Sequence, residues 1–211
     1  AYHGALTAFS GTDTQVLLAI AEPGEGSKGM VRYLDSGHLD GAIVISHHGG
    51  DLAERLQEIG YPVVFVGDPG ITGTPYAELD HYHAAMRGTK HLLDQGARRI
   101  ATITGPMDMN AGRERRRGFE DAMAAAGLEM AGLEVGDFTA VGGDLAAQRI
   151  LQRSPDLDGL FVASDLMGVG AMRAFHHAGR SVPEDILVVG FDNSTAALQT
   201  DNARDLERAT A

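Results

Sequence analysis

The chain contains no cysteine and no tryptophan among its 211 residues. Without cysteine there are no disulfides and no thiolate metal sites, though this alone leaves the compartment open. Positive charge is scarce: 17 basic residues stand against 29 acidic ones, for a net charge of −12. A surface of that sign repels a phosphate backbone, so this stretch by itself is a poor binder of nucleic acid. No apolar run approaches the ~18 residues of a membrane span, and no signal peptide is visible. Internal repeats and low-complexity tracts are absent as well.

Recognisable catalytic motifs are also missing. There is no G-x-S-x-G elbow, no Walker loop, and no G-x-G-x-x-G following a strand. Gly168-Val169-Gly170 falls inside a helix, on the wrong side of a strand–helix turn. The nine histidines include the adjacent pairs His47-His48 and His176-His177, and His81 with His83. Neither spacing puts two imidazoles on one helix face, and nothing matches H-E-x-x-H. No metal, no cofactor and no nucleophile–base set is expected.

The 44% hydrophobic content is ample for a core, and the 28 glycines suit a chain with many short connections. Residues 97–119 show the repeating unit. An apolar run, Ile100 to Thr104, meets a Gly105-Pro106 break and then a helix carrying Arg113, Arg115, Arg116 and Arg117. Strand, loop and helix in that order build open α/β sheets, which hold ligands outside the carboxyl ends of their strands.

The same alternation runs along the chain. Strands are read at 14–20, 39–46, 62–66, 100–104, 133–138, 159–163 and 186–191, and helices at 1–10, 28–36, 51–59, about 84–95, 111–126, 143–153 and 165–178. The strands are continuous apolar runs, which implies parallel sheets covered on both faces. The expected fold class is therefore α/β with two Rossmann-like subdomains, 1–96 and 97–193, and an unassigned tail at 194–211.

Several residues stand out against this frame. Arg115 shares a helix face with Phe119, Ala122 and Met123, which periodicity makes the buried face. A guanidinium there needs a partner, and periodicity does not choose between an internal ion pair and a ligand. The loops at strand ends carry Ser46-His47-His48, Asp108, Ser164-Asp165 and Asp192-Asn193. Such side chains suit a polyhydroxylated ligand, but Asp108 and Asp165 equally suit helix caps. Phe138 could cover the apolar face of a sugar ring or belong to the core.

With those residues assembled, the chain resembles the effector-binding domain of the LacI/GalR family of bacterial transcription regulators. The resemblance runs from Ala1 to about Asn193. It rests on HLLDQGARRIA at 91–101, Thr104-Gly105-Pro106, Arg115-x-x-Gly118-Phe119, FVASDLMGVG at 161–170 and VPEDILVVGFD at 182–192. GPMDM at 105–109 with SDLM at 164–167 further resembles an actinobacterial branch that senses cellobiose and related oligosaccharides.

The resemblance implies a periplasmic-binding-protein-like fold with a sugar effector between two subdomains. It assigns the ligand arginine to Arg115, the ligand aspartate to Asp192, the stacking aromatic to Phe138 and a polar contact to Ser164. Further ligand-facing positions fall on His83, Tyr2 and His48, with Asp108 in the loop that would tune the sugar. It also implies a homodimer in the cytoplasm that is not an enzyme and has no membrane partner. Operator DNA would be bound through a helix-turn-helix domain that is absent from this chain. The rival readings are a periplasmic sugar-binding protein of a transporter and an α/β sugar-processing enzyme.

Overall fold

The computed structural model describes residues 2–20, 26–45, 48 and 50–194. The expected ligand-facing positions Ser46 and His47, and the tail from 195 onward, lie outside the described residues. Two compact units divide between Leu79 and Asp80.

In the first unit the elements are α1 (Tyr2–Ala8), α2 (Gly26–Leu34), β1 (Ala42–Ile45), α3 (Asp51–Glu58), β2 (Val63–Val66) and β3 (Tyr76–Ala77). The strands form one parallel sheet in the order β1-β2-β3. Leu34, Ala53, Leu56 and Phe65 form its core. On the opposite face of the sheet Ile43, Ile45 and Val64 are exposed among the described residues.

Two expectations are corrected here. Residues 14–20 do not form a buried strand, and Leu17, Leu18 and Ile20 are 65%, 60% and 83% exposed. Backbone N–H and C=O groups need a ladder partner before an apolar run becomes a strand. Among the described residues, no strand lies alongside this segment. Nor, among the described residues, is this sheet covered on both faces, since Ile43, Ile45 and Val64 are exposed.

The second unit meets the α/β expectation fully. Its elements are α4 (His81–Asp94), β4 (Ile100–Thr104), α5 (Asn110–Ala125), β5 (Gly132–Val135), α6 (Ala140–Arg153), β6 (Gly159–Val162), α7 (Asp165–His177) and β7 (Leu187–Val189). All four strands are parallel, in the order β5-β4-β6-β7. Every residue of β4 and β6 is buried, because helices cover both faces. On one face Ala85, Leu92, Phe119 and Met123 of α4 and α5 pack with Phe161. On the other, Ala147, Ile150, Ala171 and Phe175 of α6 and α7 pack with Ile103 and Val162. Because α4 contributes to this core, the compact unit begins at Asp80 and not after Gly96. Gly96, at φ +103°, instead follows the end of α4 in a left-handed turn.

Local capping explains one shifted helix start. The α6 helix begins at Ala140 because the Thr139 hydroxyl accepts from the Gly142 N–H at 2.9 Å. The α5 helix begins at Asn110 with Met109, not Asp108, at the N-cap position. Asp108 is exposed and precedes the N-cap by one residue.

Helices α6 and α7 meet through small residues. A Cβ on Gly170 would overlap the carbonyl oxygen of Ala140, whereas one on Gly168 would meet nothing within 4 Å. Gly170→Ala should therefore destabilise the protein by ~1–3 kcal/mol, as overpacking against backbone does. Gly168→Ala should stabilise it by ~0.5–1 kcal/mol through helix propensity. Urea unfolding midpoints would show shifts of opposite sign, and equal shifts would contradict this account of the helix contact.

Candidate functional site

In the second unit the strand order places β4 between β5 and β6, so the crossover from β4 to β5 and the next, from β5 to β6, run in opposite directions along the sheet. Ligands gather at the carboxyl ends of strands around such a reversal. Arg115 points to that edge from the second turn of α5 and is only 7% exposed. Its Nη1 donates to the carbonyl of Ala163, at the end of β6. Its Nη2 lies 3.6 Å from Asp192 Oδ1, just past β7. The guanidinium carbon sits 3.7 Å over the ring of Phe191 and 5.9 Å from that of Phe138. Each is a recognised way to stabilise a guanidinium away from water.

A further partner comes from α4. His81 Nδ1 lies 3.3 Å from both Nε and Nη2 of Arg115, and its ring centroid lies 5.9 Å from that of Phe191. Close helix packing makes this reach possible. A Cβ on Gly118 would overlap the Tyr82 carbonyl oxygen, so only glycine lets the start of α4 lie this near α5.

Backbone conformation is unusual at the same edge. Phe138, Asp192 and Asn193 adopt φ of +63°, +91° and +46°, the positive-φ non-glycine residues among those described. Such conformations cost on the order of 1–3 kcal/mol each and gather at functional sites. At Phe138 the strain is held by Asp137, whose Oδ1 accepts from the N–H and hydroxyl of Thr139 at 2.9 and 2.7 Å. The Thr139 hydroxyl, its backbone N–H and that of Asp137 itself hold the Asp137 carboxyl below its ordinary range. The Phe138 ring then lies against Gly105, where a Cβ would overlap it.

At Asp192, burial pushes the carboxyl above its ordinary 3.8; the charge of Arg115 opposes this and that of Asp165 adds to it. Asp165 is 1% exposed. Its Oδ2 accepts from the Ser194 N–H at 2.6 Å, tying the segment after β7 to the start of α7, and its Oδ1 has no hydrogen-bond partner.

The structure brings Arg115, Asp192 and Phe138 together. Ser164 lies beside them at the end of β6, but its hydroxyl caps α7, accepting from the Met167 N–H at 3.3 Å. The His83 ring Nδ1 lies 2.7 Å from Asp80 Oδ2, and its side chain is 62% exposed. Tyr2 lies in α1, and His48 is exposed; both belong to the first unit. No group of three or more metal-ligating side chains occurs among the described residues.

Sequence reasoning missed His81, Phe191 and the tie made by Asp165. His81 carried a usable signal. It shares the buried face of α4 with Ala85, Thr89 and Leu92, from which His83 is absent.

The family model of the periplasmic binding protein-like domain matches residues 89–202, more than half of the chain. The chain belongs to this family, in its LacI-type branch. It is 42% identical over 202 residues to the HTH-type transcriptional regulator CelR of Thermobifida fusca, covering 92% of this chain and 59% of that protein. It is 32% identical over 175 residues to the HTH-type transcriptional repressor PurR of Edwardsiella ictaluri, covering 80% of this chain and 51% of that one. Among solved structures, a CelR–cellobiose complex matches with a TM-score of 0.82 and 37% identity, over 98% of this chain and 67% of that chain. A LacI family regulator from Mycobacterium smegmatis matches with a TM-score of 0.83 and 27% identity, over 99% and 82%. The chain spans between half and three-fifths of the length of these curated relatives. The match to the periplasmic binding protein-like domain, at 89–202, contains Arg115, Phe138, Ser164 and Asp192 and begins after His81.

The raised carboxyl at Asp192 sets a stability test. A carboxyl raised in the folded state imposes no cost below its ordinary value of 3.8, and the cost grows as pH rises through the folded value. Asp192→Asn should therefore melt slightly higher than the parent protein at pH 7, with the gap closing toward pH 3.8. The gain stays small because the side chain is 42% exposed. Thermal melts across that range would contradict the account if the variant were less stable at neutral pH.

Proposed function

We propose that this chain is the effector-binding and dimerisation domain of a LacI-type bacterial transcription regulator, and that its effector is a di- or oligosaccharide such as cellobiose. The observation that carries the reading is the Arg115 cluster. A buried, fully oriented guanidinium stands beside Asp192 and the strained Phe138, at the strand ends of a chain similar to a cellobiose-bound regulator over nearly its whole length.

The chemistry fits a sugar. Arg115 supplies N–H donors and Asp192 supplies an acceptor, which together satisfy the two hydrogen-bonding roles of a hydroxyl. Phe138 supplies an apolar face for the C–H side of a pyranose. Charged hydrogen bonds of this kind contribute ~1.5–3 kcal/mol each. Ser164, Asp108, His83, Tyr2 and His48 are the further candidates that the family resemblance assigns, and Asp108 lies in the loop expected to tune which sugar is read.

The proposed cycle is an effector switch. Sugar binding shifts a conformational equilibrium of the regulator, and a homodimer passes that shift to operator DNA through a helix-turn-helix part outside this chain. The regulator would work in the cytoplasm and return its sugar unchanged. No helix of the described residues is long and apolar enough to cross a membrane.

Calorimetric titration of the full-length protein with cellobiose, cellotriose, maltose, lactose and glucose tests this directly. Saturable binding of one sugar per chain is expected, weakened about tenfold or more by Arg115→Ala, the loss of one charged hydrogen bond. Chromatography of the recovered sugar should show it intact. Release of glucose would favour a sugar-processing enzyme, and unchanged affinity in Arg115→Ala would remove Arg115 from the site.

A further inference from the structure

We propose that His81 is the positioning residue of the effector site: a neutral imidazole that fixes the guanidinium of Arg115 in the plane from which it meets the sugar. The inference rests on the reading of Arg115 as a sugar contact. It adds a residue outside the family match and not selected by the family resemblance.

A guanidinium has five N–H donors and no acceptor, so its orientation is set by the acceptors around it. Around Arg115 these are directional. Nη1 is committed to the Ala163 carbonyl at the end of β6. Asp192 lies at 3.6 Å, beyond ordinary hydrogen-bond length. The edge formed by Nε and Nη2 supplies a second direction that helps define the rotation of the group. Both of those nitrogens face the single Nδ1 atom of His81 at 3.3 Å. The Phe191 ring, 3.7 Å from the guanidinium carbon, holds one face without fixing the rotation in its plane. The Ala163 carbonyl and His81 together do fix it.

The contact also defines the state of the histidine. Nδ1 accepts only when the ring is neutral and its proton is on Nε2. A protonated ring would offer a donor and a second positive charge to a guanidinium that can accept neither. His81 acts on the sugar through Arg115, whose Nε–Nη2 edge its Nδ1 faces.

The fold maintains this arrangement from two sides. Asp80 caps α4 by accepting from the His83 N–H at 3.0 Å, and the His83 ring holds the other Asp80 oxygen at 2.7 Å. That fixes the first turn, whose inward position is His81. Gly118 then admits the Tyr82 carbonyl against α5, which brings His81 to Arg115. Thus the His83 backbone and ring meet the capping carboxylate of Asp80, and the residue two earlier reaches the guanidinium.

The test uses the full-length protein and two variants. Asparagine places an oxygen acceptor about where Nδ1 stands and cannot take up a proton, whereas alanine leaves that edge of Arg115 without its acceptor. Cellobiose titrations should show affinity within about threefold of the parent for His81→Asn and about tenfold or more weaker for His81→Ala, consistent with loss of a charged hydrogen bond. Imidazole nitrogen NMR of the unliganded protein should show His81 with Nδ1 unprotonated and the proton on Nε2. Equal loss in both variants, or no loss in His81→Ala while Arg115→Ala loses binding, would overturn the inference and leave the sugar site standing. If the parent protein binds no sugar, it is the sugar reading that fails. The NMR result then still decides the contact: a proton on Nδ1 overturns it, and one on Nε2 supports it.

Discussion

Arg115 cannot shed its charge, and an unpaired ion in a protein interior costs several kcal/mol or more. Burying its guanidinium therefore obliges the structure around it to supply acceptors from several directions. The Ala163 carbonyl comes from the end of β6, Asp192 and Phe191 from the end of β7, and His81 from the start of α4. Each of these places depends on a larger feature. The parallel order β5-β4-β6-β7 puts the ends of β6 and β7 side by side. The glycine at 118 sets the α4–α5 distance. A packing fault in either would first be felt as an unpaired charge at the site.

The second unit separates stability from function in space. Away from the site, carboxylates are satisfied: Arg149 and Arg153 pair with Glu134, and Asp144 pairs with Arg173 and accepts a hydrogen bond from Gln148. Burial alone would raise Glu134, but the two arginines hold its carboxyl below the ordinary range. At the strand ends the pattern reverses. Phe138, Asp192 and Asn193 hold strained backbones, Asp192 is raised by burial, and one oxygen of Asp165 is buried without a partner. Local rules broken together in one place mark a region shaped by something other than stability.

Much of this was legible in the sequence because burial and local geometry leave periodic traces. The runs at β4 and β6 read as buried strands because both faces are covered, and Gly96, Gly127 and Gly179 marked helix ends through their left-handed conformations. Arg115 stood out by lying on an apolar helical face, though its partners could not be read from spacing. What escaped depended on tertiary partners. Residues 14–20 carry the composition of a strand, but a strand also needs a neighbour to bond to. Asp108 has a capping side chain one position from the N-cap. Phe191 looked like the last core residue of a strand, yet its ring lies under Arg115. His81 was visible in the helical stripe of α4 but was obscured by His83, whose role in capping depends on Asp80.

The central claim is that the carboxyl ends of β4, β5, β6 and β7, organised around Arg115, receive the sugar. Hydrogen–deuterium exchange of the full-length protein with and without saturating cellobiose maps this most directly. The account predicts slowed exchange in the segments at 105–115, 136–140, 163–167 and 190–194, with the outer faces of α6 and α7 unchanged. Protection confined to α6 and α7, with those segments unaffected by bound sugar, would contradict it.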